Sequence, residues 1–336
     1  MADFVRVGLI GAGRIGRVHA ESLARRVPGA RLVAVSDIRR EAALEAADLH
    51  GVPQAPADYH AILSDPAVDA VVVCTSTDTH ARIIEEAAAA GKHIFCEKPI
   101  ALDLANTDRA LAAADRAGVK LQIGFNRRFD ANFRRVHDLV AEGKLGMPHL
   151  VHIVSRDPGP PPIEYIRVSG GLFLDMAVHD FDMARYLSGS EIDEVYATGG
   201  VLVDPAIGAA GDIDTAVVAL RFASGALGTI DNSRRAIYGY DQRVEVFGSA
   251  GSAIAGNNTP TNTVLLDAAG THADKPLHFF LERYAEAYAA EVRAFCDCIL
   301  QDAPPPVTGL DGRAALLAGL AAWQSYREHR PVAVGR

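Results

Sequence analysis

The 336-residue chain is poor in cysteine, methionine and tryptophan, with four, four and one respectively. Cys74, Cys96, Cys296 and Cys298 fit neither a zinc-ligand spacing nor a disulfide framework, which points to a reducing compartment. Apolar residues make up 49% of the chain, yet no run approaches the ~18 needed to span a membrane. Basic clusters are missing as well. The formal charge of −9 is spread along the sequence, against a nucleic-acid or anionic-membrane partner. A strand-like run starts at Val5 and leaves no room for a signal peptide, so a cytoplasmic protein is expected. Neither an internal repeat nor a low-complexity tract is present. At this length two domains are expected rather than one core.

What the chain does have begins at its first strand. The run Val5-Arg6-Val7-Gly8-Leu9-Ile10 empties into Gly11-Ala12-Gly13-Arg14-Ile15-Gly16, the G-x-G-x-x-G of a dinucleotide-binding turn. Gly11 permits the tight turn, Gly13 lets backbone approach a pyrophosphate, and Gly16 lets the next helix pack on the strand. The N–H groups of Arg14 and Ile15 then face the phosphates. A helix over 15–27 stops at Pro28-Gly29, and a strand at 32–35 ends on Asp37, 21 residues after Gly16. An acid there accepts hydrogen bonds from an adenosine ribose diol. Asp37 also repels a 2′-phosphate and so favours NAD over NADP, although Arg39 and Arg40 lie close behind.

Helices at 40–50, 80–90 and 103–117 alternate with strands at 70–74, 93–96 and 120–124. This rhythm predicts a parallel Rossmann sheet, taken as six strands, with a boundary near Gly124. Beyond it come a helix at 132–142, a strand at 149–156, the rigid Pro158-Gly159-Pro160-Pro161-Pro162, and a helix over 172–187. Strands then follow at 192–203, 213–222, 226–233, 243–247 and 263–266, before helices at 279–300 and 312–328. Runs of strands without helices between them imply a large, mostly antiparallel sheet. The expected α/β architecture is therefore a Rossmann NAD-binding domain (1–124) and an α/β domain for substrate binding and oligomerisation (125–336). Too few helices remain to cover both faces of the second sheet, which predicts a homo-oligomer.

Three places carry candidate chemistry. Glu97-Lys98-Pro99 lies at the carboxyl end of a parallel strand, the edge where open α/β sheets bind ligands. Pro99 confines the backbone of Lys98, whose ammonium can donate to a substrate oxygen; a solvated loop lysine is the plainer alternative. Asp175 and His179, four apart on a predicted helix, can touch, and a carboxylate beside an imidazole suits a proton acceptor. The apolar Leu172, Phe173, Leu174, Met176 and Ala177 around them argue against a plain surface pair. Asn126, Arg127 and Arg128 follow the 120–124 strand and offer an amide and two guanidinium groups for cofactor or substrate, or for salt bridges. Thr75, Ser76 and His80 stand at the end of the 70–74 strand, where they face the ribose and nicotinamide or cap the next helix. Tyr238, Tyr240 and Asp241 form a further polyol-contact candidate, although aromatics in a hairpin more often serve packing. Arg156, Asp157, Asn232 and His152 are weaker.

These motifs make the chain resemble the Gfo/Idh/MocA oxidoreductase family, from Val5 to about Pro331. The likeness rests on Gly11 to Gly16, on Glu97-Lys98-Pro99, on Gly124-Phe125-Asn126-Arg127-Arg128-Phe129, and above all on the stretch from Ser169 to Arg185. Tyr240-Asp241-Gln242-Arg243 and Phe280-Leu281-Glu282-Arg283-Tyr284 add to it. The resemblance places the family's catalytic lysine on Lys98, its aspartate on Asp175 and its histidine on His179. It implies NAD as cofactor, no metal, and a tetramer assembled through the second sheet. Cofactor contacts would come from Gly11, Gly13, Arg14, Ile15, Gly16, Asp37, Ile38, Arg39, Thr75, Ser76, His80, Glu97, Lys98 and Arg127. Substrate contacts would come from Lys98, Asn126, Arg128, Arg156, Asp175, His179, Tyr238 and Tyr240. The implied reaction is hydride transfer from myo-inositol, giving 2-keto-myo-inositol. Scyllo-inositol, a hexose or another cyclic polyol are alternatives, and residues 158–167 help to select among them. A dinucleotide sensor without catalysis is the rival outside enzymes; the intact lysine, aspartate and histidine count against it.

Overall fold

The computed structural model describes residues 4–335. The chain divides into two compact units. One takes the sequence through Phe129 and again over Glu286–Leu316; the other takes Asp130–Ala285 and the stretch from Leu317 onward.

The first unit opens with β1 (Val5–Ile10), α1 (Arg14–Glu21) and β2 (Ala30–Ser36). It continues through α2 (Arg40–His50), α3 (His60–Ser64), β3 (Ala70–Val73) and α4 (Thr77–Ala89). β4 (His93–Glu97), α5 (Leu104–Ala117) and β5 (Leu121–Gly124) complete its sheet. All neighbouring strands run parallel, in the order β2-β1-β3-β4-β5. The expected count of six is thus corrected to five. Between Pro53 and Ala70 the chain forms α3 and adds no strand, touching the sheet through the isolated bridge from Gln54 to Ala34 and through Asp69, bonded to Arg6 and His93. Every residue of β3 is buried, as a strand covered on both faces requires.

The second unit carries α6 (Ala131–Ala141), β6 (Pro148–Arg156), α7 (Ile163–Ile166), α8 (Gly171–Asp175) and α9 (Val178–Ser188). Next come β7 (Ile192–Gly200), α10 (Pro205–Ala209), β8 (Thr215–Phe222), β9 (Leu227–Ser233), β10 (Asp241–Gly248) and β11 (Gly251–Ala255). A separate hairpin, β12 (Val264–Asp267) and β13 (Gly270–Ala273), precedes α11 (Phe280–Arg283). α12 (Ala285–Leu300), which falls in the first unit from Glu286 on, α13 (Gly309–Glu328), which passes to the second unit at Leu317, and β14 (Val332–Ala333) end the chain. The large sheet has the order β11-β10-β6-β9-β8-β7-β14, antiparallel except where β6 runs parallel to β9. Its register places Leu150 opposite both Leu227 and Phe247, all three exposed. Val217 and Tyr196 stand exposed on the same face, while Ala216, Val218, Leu220 and Phe222 of β8 point the other way and are buried.

One expected helix is broken. Residues 172–187 form α8 and α9, parted at Met176 and Ala177, where the Ala177 N–H returns five residues to the Leu172 carbonyl and widens the turn out of helical register. Asp175 and His179 therefore do not share one helix face; the first ends α8 and the second begins α9.

Candidate active site

In the first unit the turn after β1 is shaped by its glycines. Gly11 has φ +99, and a Cβ there would lie 2.6 Å from the Cys74 carbonyl oxygen. A Cβ on Gly16 would fall 1.9 Å from the Gly11 oxygen, so helix and strand approach only because it is absent. Gly13 is different: a Cβ on it meets no heavy atom within 4 Å among the described residues. Open space thus lies before the backbone where α1 begins. Gly13 caps that helix without a side-chain bond, and no acid occupies its first turn. The N-terminal N–H groups are left to an anion. Asp37 ties the edge of the turn: one carboxylate oxygen accepts from the Ala12 N–H (2.7 Å), the other from the Arg39 N–H (2.8 Å). Ile38 and Arg39 beside it are exposed. This arrangement fits a dinucleotide.

The strand ends supply the rest of this unit's candidates. Thr75 and Thr79 share a hydroxyl contact of 2.6 Å at the start of α4, and Ser76 is exposed. His80, only 1% exposed, meets the Pro99 and Thr75 carbonyls through its two ring nitrogens and so braces two strand ends. Burial holds its pKa below the usual imidazole value. Glu97 also turns inward, to His19 of α1: His19 Nε2 lies 2.7 Å from Glu97 Oε1 and 4.0 Å from Glu291 Oε1. Room for that carboxylate exists because Gly124, its neighbour on β5, has no side chain. Lys98, half-buried, precedes Pro99 through a cis peptide. Asn126 and Arg127 are buried in the 3₁₀ turn Asn126–Phe129, where Asn126 Nδ2 has no hydrogen-bond partner. Arg128 pairs with Asp311 at 3.0 Å.

In the second unit Asp175 is held from two sides. Tyr165 donates its hydroxyl to Oδ1 (2.9 Å), and Arg234 donates Nη1 to Oδ2 (3.1 Å). His179 is half-buried, with its Nδ1 turned away from solvent. Arg156 forms a two-bond pair with Asp231 and reaches the Tyr238 hydroxyl. Tyr238 in turn donates to Asp241. Burial works upward on Asp241, but hydrogen bonds from Arg243, Tyr238 and Asn257 win and bring its pKa to about 2. Tyr240 is buried and packs edge-on against Tyr284. Of the weaker candidates, Asn232 donates to Asp180 inside the unit, and exposed His152 meets Thr229.

Four residues escaped the reading of the sequence. Arg234 and Tyr165 carried no motif, since their part appears only once Asp175 is placed. His19 lies three residues past Gly16, and Glu291 sits mid-helix in α12, where nothing local marks a buried acid. Glu291 is fully buried, both its oxygens are without a partner, and burial raises its pKa well above the usual carboxyl value.

Residues 5–125 match the family described as Gfo/Idh/MocA oxidoreductases with an NAD-binding Rossmann fold, and residues 133–254 match that family's C-terminal domain. The chain is 53% identical to "Myo-inositol 2-dehydrogenase" of Thermotoga maritima, covering 98% of each chain. It is 39% identical to "scyllo-inositol 2-dehydrogenase (NAD(+))" of Bacillus subtilis, covering 99% of this chain and 97% of that one. A crystal structure of a putative myo-inositol dehydrogenase from Sinorhizobium meliloti superposes with a TM-score of 0.95 at 47% identity, over 98% of this chain and all of the other. With a dinucleotide turn on β1, a strand end reading Glu97-Lys98-Pro99, and matches along both units, the chain belongs to the Gfo/Idh/MocA family of NAD-binding oxidoreductases.

Proposed function

We propose that this chain is an NAD-dependent inositol 2-dehydrogenase that oxidises myo-inositol to 2-keto-myo-inositol (scyllo-inosose). The observation that carries the reading is the full-length likeness to a myo-inositol 2-dehydrogenase at 53% identity. Lys98, Asp175 and His179 are the proposed catalytic residues. His179 takes the proton of the reacting hydroxyl, and the Asp175 carboxylate stabilises the imidazolium that results. Lys98 donates a hydrogen bond to the same oxygen and steadies its negative charge as the carbonyl forms. Bound NAD supplies the acceptor for the substrate hydride. The unpartnered Asn126 Nδ2 is a donor available to a polyol hydroxyl. Residues 1–124 serve the cofactor and 125–336 the substrate and self-association. The exposed row of Leu150, Leu227 and Phe247 supports a homotetramer built on the second sheet. The proposed location is the cytoplasm; among the described residues no helix is long and apolar enough to cross a membrane.

A second reading, scyllo-inositol as preferred substrate, is favoured by the relative of that name in Bacillus subtilis. The test is a panel of myo-inositol, scyllo-inositol and hexoses with NAD, followed by absorbance of the reduced cofactor. Myo-inositol is expected to give the highest kcat/KM, and Lys98→Ala to abolish turnover while NADH still binds. Normal turnover in Lys98→Ala, or no reduction with any polyol, overturns the proposal.

A further inference from the structure

The Asp175 carboxylate is the last side chain of α8, where the helix no longer fixes its direction. Two donors from different elements fix it instead. Tyr165 on α7 takes Oδ1, and Arg234, just past the end of β9, takes Oδ2. Arg234 is itself immobilised. It is 2% exposed, and its backbone N–H donates to the Asp214 carbonyl (2.8 Å). Asp212 ties the other end of the same helix by accepting the Leu172 N–H (2.9 Å), while its second oxygen lies 3.9 Å from Arg234 Nη2. Asp157 is 3.8 Å from Nη1.

A guanidinium buried only for stability is expected to engage a carboxylate through two parallel bonds. Arg234 does not. Among the described residues its Nε and Nη2 are buried without a hydrogen-bond partner, and its one side-chain bond goes to the acid assigned to the reaction. Buried ion pairs are poor sources of net stability, so this geometry calls for another reason. We propose that Tyr165 and Arg234 are positioning residues that clamp the Asp175 carboxylate from both sides and set its orientation for catalysis. Tyr165 lies within residues 158–167, the stretch expected to select the polyol, so the clamp also ties that stretch to the carboxylate. The inference rests on the proposed role of Asp175.

The experiment compares steady-state kinetics of Tyr165→Phe, Arg234→Lys, Arg234→Gln and Asp175→Asn, together with thermal melting and NADH binding. A misplaced catalytic group lowers turnover by about 10–100-fold, and that range is expected in kcat for Tyr165→Phe, with KM and NADH affinity nearly constant and melting unchanged. Because Arg234 gives Asp175 only one N–H, Arg234→Lys is expected to keep more turnover than Arg234→Gln. Should the arginine variants fail to fold, Tyr165→Phe decides alone. Wild-type kcat in Tyr165→Phe with an inactive Asp175→Asn overturns the clamp. Full turnover in Asp175→Asn overturns the reading beneath it instead.

Discussion

Within the first unit, the fully buried carboxyl of Glu291 faces a histidine and another acid, His19 and Glu97, and neither of its oxygens finds a hydrogen bond. Within the second, acids sit against arginines: buried Asp130 against Arg283, and half-buried Asp175 and Asp157 with buried Asp212 around Arg234. The contrast is local to these residues. Glu291 lies mid-helix in α12 with His19 and Glu97 facing it, although Lys92 and Arg127 of the same unit are also buried. The mixed sheet of the second unit has strand ends and a short helix from which Arg234 and Arg283 reach inward. Glu291 is held toward its protonated form by burial, whereas Asp130 and Asp175 each face a partner charge.

The comparison predicts opposite responses to replacing a buried polar side chain by methionine. Replacing Arg283 by methionine leaves Asp130 buried without its cation, and is expected to cost about 3–5 kcal/mol in urea unfolding. A smaller loss, under about 1 kcal/mol, would place the pair at an exposed rim. Glu291→Met removes an unsatisfied group, and is expected to stabilise by about 1–3 kcal/mol. The pH dependence follows from the same raised pKa. The folded state keeps a proton that the unfolded chain loses. The contribution of Glu291 is therefore complete below the ordinary carboxyl value of 4.5 and falls as pH rises toward the folded value. The slope approaches about 1.4 kcal/mol per pH unit at most. Unfolding curves of Glu291→Met across that window are expected to lack this slope.

Two smaller effects sharpen the picture of the first unit. Gly124→Ala puts a methyl 3.0–3.2 Å from the Glu97 carboxylate, and is expected to cost about 1 kcal/mol as that side chain is pushed from His19. Asp37→Ala removes the acceptor of the Ala12 and Arg39 N–H groups, worth about 1 kcal/mol each. The ratio of kcat/KM for NAD over NADP is expected to drop, and an unchanged ratio would remove Asp37 from cofactor choice.

Much of this was legible in the chain because its signals are local. The apolar run 70–73 became β3, Gly51 and Gly118 close their helices with positive φ, and Gly11 and Gly16 sit where the turn demands them. The break at Met176 and Ala177 was not legible. Both residues suit a helix, and the interruption coincides with Asp212 and Arg234 holding the two ends of α8. Tyr240 read as a sugar contact because its neighbours are polar, whereas packing against Tyr284 depends on a residue 44 positions away. His80 and Glu97 were sought at the ligand edge; their partners Pro99, Thr75 and His19 turn them inward.

The most direct test is to mix the protein with NAD and myo-inositol deuterated at C2, then examine the reduced cofactor by mass spectrometry. The account predicts one deuterium on the nicotinamide and an equal amount of 2-keto-myo-inositol, both lost in His179→Ala. Reduced cofactor without the label, or no product at all, would contradict it.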